Sequence, residues 1–254
     1  MAESELIVSM YVVAALFFVV AAVYSSVGLG GGSSYTALMA ILGFSTLAIP
    51  FVSLTLNLIV TSVGSFNFIR NRHAQWRLIL PFVLSSIPMA YLGGALDLPK
   101  EVFYGLLLVS LVFVAARIYL WQDTSLRLDF SPRARVIVAV LAGGILGLVA
   151  GIVGIGGGVY LVPLIIILGL GSQKEAAACG AIFVWLNSLS GLLARLQYNA
   201  IDITAYWPLV AAVLLGGFAG SWLGAFRLAP RTMDRILGVI ILVAIVALLR
   251  KVLG

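Results

Sequence analysis

From Leu6 to Ile69 the chain carries no charged side chain, a run of 64 residues. Further charge-free runs cover 78–96, 136–173, 176–194 and 203–226, with weaker ones at 102–116 and 236–249. A spanning helix needs about 20 apolar residues, so the pattern predicts a chain that is nearly all membrane helix. In the first half it places helices at about 6–27, 46–70, 77–97 and 101–121, with a short apolar piece at 33–44. In the second half it places them at about 135–153, 174–197, 203–225 and 231–251, with a short piece at 159–170. Each short piece follows a glycine run, Gly28-Leu29-Gly30-Gly31-Gly32 in one case and Gly154-Ile155-Gly156-Gly157-Gly158 in the other.

The glycine runs are the clearest sign of duplication. Gly43-Phe44 and Gly169-Leu170 share their offset of 126, while Trp76, Leu92-Gly93 and Pro99 match Trp207, Leu223-Gly224 and Pro230 at 131. Asn57 and Asn187 match at 130. Residues 1–121 read as an N-terminal transmembrane repeat, 122–135 as a polar connector and 136–254 as a C-terminal repeat, all within one membrane domain.

The short pieces set the topology. Twelve residues of helix rise about 18 Å, against a hydrocarbon core of about 30 Å. Re-entrant or broken helices are therefore expected, with four full spans per half and eight in all. Ten Lys and Arg then lie inside (Arg70, Arg72, Arg77, Arg117, Arg127, Arg133, Arg135, Arg195, Arg250, Lys251) and five outside. The alternative is ten helices in an inverted repeat. It moves Lys174, Arg227, Arg231 and Arg235 inside and Arg195, Arg250 and Lys251 outside, and so divides the cations eleven to four. The positive-inside rule accepts both.

Composition agrees with the bilayer. Charged residues are 9% of the chain and the mean hydropathy is +1.18, where soluble domains carry about 25% charge. The net charge of +6 does not indicate nucleic acid, because the cations are scattered at helix ends as in membrane-protein loops. Met1-Ala2-Glu3-Ser4-Glu5 has no basic segment, so Leu6 onward reads as a retained first span rather than a cleaved signal. Cys179 is the single cysteine and reads as a small packing residue; His73 reads as a solvated loop residue. No cofactor or metal cluster is expected.

A helix start offers unpaired N–H groups and partial positive charge, and glycine lets a ligand approach that backbone. Gly30, Gly31, Gly32, Ser33 and Ser34 read as one anion cradle and Gly156, Gly157 and Gly158 as its counterpart, with Tyr24, Ser25 and Ser26 lining the same cavity. Asn57 and Asn187, deep in apolar helices, read either as interhelical hydrogen bonds or as cavity-lining groups. Ser53, Asn57 and Thr61 share one helix face. The stripes Gly143-x-x-x-Gly147-x-x-x-Gly151 and Gly216-x-x-x-Gly220-x-x-x-Gly224 read as helix packing. Arg195 is expected to snorkel to the interface rather than to bind the anion. No Lys-Ser or Lys-Thr follows either glycine run, so there is no Walker A loop. No acid lies mid-span, which disfavours a proton relay and an acidic cation filter. No nucleophile–base pair suggests an enzyme.

The two halves, each with a glycine-rich run (Gly28–Gly32, Gly154–Gly158), a short apolar piece and an Asn-bearing helix, resemble the sulfite exporter TauE/SafE family over essentially the whole chain. The resemblance implies a multi-pass permease in a bacterial plasma membrane, with a small anion such as sulfite or an organosulfonate as its partner. Export is the expected direction, and a homodimer is left open.

Overall fold

A computed structural model describes residues 9–26, 31–120, 131–198, 203–224 and 230–253. The readings made of Met1–Glu5, Gly28–Gly30 and most of the connector lie outside the described residues. The described chain is all helical. Ten helices follow in order: α1 (Met10–Ser26), α2 (Gly32–Ile41), α3 (Ala48–Arg70), α4 (Trp76–Ala95), α5 (Lys100–Leu120), α6 (Pro132–Val153), α7 (Gly158–Ile167), α8 (Gln173–Tyr198), α9 (Trp207–Gly224) and α10 (Pro230–Leu253). Five of them, α3 to α6 and α8, are by themselves long and apolar enough to cross a bilayer. Their outward side chains are large and apolar, among them Leu84, Val109, Leu141 and Ile145, as lipid requires.

Local chemistry sets the helix ends. Ser131 accepts from the Ala134 N–H and Pro132 follows it, so α6 starts there. Ser172 and Glu175 exchange side-chain bonds with each other's backbone N–H, a capping box that opens α8. Gly43 (φ 88°) and Gly169 (φ 62°) close α2 and α7 in left-handed conformation. The next N–H in each case, Phe44 or Leu170, bonds back to Met39 or Ile165.

Glycine contacts fix which helices lie together. A Cβ on Gly143, Gly147 or Gly151 would fall on the backbone of Phe82, Ser86 or Ala90, so α6 lies parallel to α4 at backbone contact. A Cβ on Gly216 or Gly220 would fall on Phe18 or Ala22, so α9 lies parallel to α1 in the same way. Both stripes pack helices, as their spacing predicts.

Contacts between helices decide the topology. Gln75 bonds Glu175 and Tyr91 bonds Gln197, so α4 and α8 run the same way. Trp185 bonds Ser62, and Gly191 meets Leu54, so α3 and α8 run opposite ways. Four spans per half would reverse both relations. The directions are those of the ten-helix inverted alternative, not of the eight-span arrangement that the helix lengths favour. The reason is reach. Ten residues of α7 rise about 15 Å, and the four non-helical residues Gly154–Gly157 add at most about 13 Å. Together they return the chain to the end at which α6 began.

The two ends of the bundle differ in charge. Arg70, Arg72, Arg77, Arg133, Arg135 and Lys174 lie at the end where α3 finishes and α4, α6 and α8 start, and Arg117 lies in the last turn of α5 at that same end. This is the arginine-rich end.

Candidate functional site

The second glycine run breaks the chain by conformation. Gly154 has φ 83°, and Gly156 and Gly157 have φ 81° each, a region only glycine enters without strain. α7 then starts at Gly158, pressed against α8, where a Cβ would lie 2.5 Å from Val184. The start of α2 lies against this break. A Cβ on Gly32 would fall on the Ile155 carbonyl oxygen and 2.5 Å from Nδ2 of Asn57. A Cβ on Gly156 would lie 3.0 Å from the same nitrogen and 3.4 Å from Oγ of Ser188.

Two helix starts therefore meet at Asn57 from opposite directions. Tyr24 and Phe17 of α1 touch Ser33 and Tyr35, so α2 runs back along α1. Val162 faces Gly180 while Gly158 faces Val184, so α7 runs back along α8. A helix start carries unpaired N–H groups and partial positive charge, so two starts that converge favour negative charge between them. Asn57 is fully buried and donates from Nδ2 to the Gly154 carbonyl at 3.3 Å; Ser53 Oγ donates to the same oxygen at 2.8 Å. Oδ1 of Asn57 and Oγ of Ser188 have no partner among the described residues. A buried polar atom without a partner costs about 1–3 kcal/mol, so such atoms at one place mark a site that a polar ligand completes.

The structure thus joins Gly32, Gly156 and Asn57, with Gly31, Gly157 and Gly158 next to them in the chain. Ser33 and Ser34 turn to the Tyr24 hydroxyl, at 2.8 and 3.0 Å. Asn187 donates to the Phe183 carbonyl of its own helix at 2.8 Å. Thr61 likewise bonds back to Asn57 O. Gly30 lies outside the described residues, as do the side chains of Ser25 and Ser26. Cys179 is buried against α7 in a packing role.

Ser188 and the Ile155 carbonyl are additions to the residues read from sequence. Ser188 directly follows Asn187, yet only helix phase shows that it is the one aimed at Gly156. Arg195 is a correction. It does not snorkel: it is 4% exposed, and one guanidinium nitrogen donates to the Gly151 and Ile152 carbonyls at 2.9 and 2.8 Å. These carbonyls end α6, so a cation caps the negative end of the helix directly before the break.

Ser53→Ala removes the shorter of the two bonds to Gly154. We expect a loss of about 1 kcal/mol, seen as a fall of about 2–4 °C in detergent thermal unfolding. An unchanged midpoint would mean that Asn57 alone satisfies that carbonyl.

A family model described as sulfite exporter TauE/SafE matches residues 13–248. A probable membrane transporter protein, y4hK, of Sinorhizobium fredii is 35% identical over 232 residues, covering 90% of this chain and 93% of that protein. One from Xylella fastidiosa is 27% identical over 84% of the chain and 85% of its own length. The probable membrane transporter protein YjnA of Bacillus subtilis is 24% identical over 89% of the chain and 94% of its own length. No solved structure matches the chain.

Proposed function

Because the chain belongs to the sulfite exporter TauE/SafE family, we propose that this multi-pass membrane transporter is a plasma-membrane permease that exports sulfite or a related small sulfonate from a bacterial cell. The observation that carries this reading is the meeting of the α2 and α7 starts at Asn57. Backbone N–H groups and neutral side-chain donors bind an oxyanion without a fixed counter-charge that would trap it. Export of an anion from a negative-inside cell is electrically downhill, by about 2.3 kcal/mol per charge per 100 mV. A uniport is therefore sufficient.

The same reading takes residues 1–121 and 136–254 as one unit duplicated and inverted. The reciprocal packing of α1 on α9 and α6 on α4 supports it. The arginine-rich end faces the cytoplasm by the positive-inside rule, which puts the start of α1 and the end of α10 outside.

The test is flux of labelled sulfite into proteoliposomes at fixed voltage, with and without a pH gradient. We expect flux above empty liposomes that follows voltage. Asn57→Ala removes one donor worth about 1–3 kcal/mol and is expected to lower flux about tenfold at unchanged expression. Flux that ignores voltage but follows the pH gradient would replace uniport with proton coupling. Absence of sulfite flux in folded protein would move the cargo to an organosulfonate.

A further inference from the structure

The arginine-rich end holds a cavity of about 580 Å³ between α4, α6 and the turn after α7. Arg77, Arg135 and Gln75 line its exposed rim, Leu170 its side, and the buried Phe82 and Ala139 its floor. Glu175, which accepts from Gln75, is the acid beside this rim. Below the floor, Phe82 and Ala139 belong to the same apolar cluster as Phe183. A Cβ on Gly157 would lie 2.7 Å from the Phe183 ring. Only packed side chains therefore separate the cavity from the glycine break.

The opposite end is built differently at the matched positions. Tyr206 and Phe44 stand at offsets of 131 and 126 from Gln75 and Leu170. They are buried and their ring centroids pack 6.1 Å apart. Pro208 and Ser9 stand where Arg77 and Arg135 would be. One end thus presents an open basic recess, and at the other the matched positions hold an aromatic pair, a proline and a serine.

We propose that the recess is the vestibule at which the oxyanion is collected from the cytoplasm, with Arg77 and Arg135 as the groups that attract it. Two guanidinium groups in a recess with apolar walls concentrate an anion ahead of the break, and salt weakens that effect. At the far end the matched positions are a proline and a serine, so the ion leaves past no equivalent guanidinium pair. This inference rests on the reading of the chain as an oxyanion permease and adds the residues that recruit its substrate.

The experiment compares wild type with the double variant Arg77→Gln/Arg135→Gln in inside-out and right-side-out vesicles. Sulfite KM measured from the cytoplasmic side is expected to rise about tenfold with Vmax within about twofold. KM from the other side should stay constant, and added salt should weaken uptake in wild type far more than in the variant. Arg77→Lys/Arg135→Lys should keep the wild-type KM. An unchanged cytoplasmic KM, or an equal rise from both sides, overturns the proposal. If wild type moves no sulfite, sulfite is not the cargo, and thermal shift of purified protein with sulfite and with sulfate tests the recess alone. Stabilisation of wild type but not of the double variant keeps it as an anion site; no stabilisation of wild type overturns that too.

Discussion

Arg195→Met is expected to lower the thermal unfolding midpoint in detergent by about 6–12 °C. A buried ion is often replaced by an apolar side chain at little cost when its partner is replaced too. Here the partners are the Gly151 and Ile152 carbonyls, which no substitution removes. Two acceptors lose a charged donor in the interior, and a hydrogen bond to a charged group contributes about 1.5–3 kcal/mol. Release of the desolvation cost offsets part of this, leaving a net loss of about 3 kcal/mol, and each kcal/mol moves the midpoint of a chain this size by about 2–4 °C. Arg195→Lys keeps the charge and should fall between. A Met variant that melts with wild type would show that the α6 end is satisfied without Arg195.

The second large effect is expected at Gly32. A Cβ on Gly32 meets the Ile155 carbonyl and the Asn57 amide together. Neither moves freely, because Ile155 sits between left-handed Gly154 and Gly156, and Asn57 is tied to Gly154. Overpacking of this kind costs about 1–3 kcal/mol, and it acts where the two helix starts converge. Gly32→Ala should lower sulfite flux at least tenfold, since about 1.4 kcal/mol corresponds to one decade. Gly105→Ala is the matched control: its Cβ meets nothing within 4 Å, and Ala is the better helix former. Equal flux in the two variants would remove Gly32 from the site.

Much of this fold is legible in the chain because each end is chemically marked. Charges at Arg70, Lys100, Arg117 and Arg133, with prolines at Pro132 and Pro230, bound the long helices within a few residues of where the structure has them. The second glycine run marks an interruption because three of the residues at 154–157 need a backbone that only glycine adopts freely. Chain direction was not legible, since helix length alone undercounts the reach of a segment whose first residues are not helical. Nor was the role of Arg195. Its position near a helix end is visible, but the carbonyls it meets are 43 and 44 residues away. At Ser33 and Ser34 the sequence shows hydroxyls beside a helix start, yet not that Tyr24 engages them.

The backbone contacts of α1 with α9 also bear on the order of assembly. Phe18 and Ala22 meet Gly216 and Gly220, about two hundred residues later in the chain. At about 5–20 residues per second of synthesis, α1 waits roughly 10–40 s before this partner is made. Through that interval its contact face is held by lipid or by another membrane protein. Any stop in synthesis before α9 leaves α1 without the helix it packs against most closely, so the last quarter of the chain governs whether the first helix is retained.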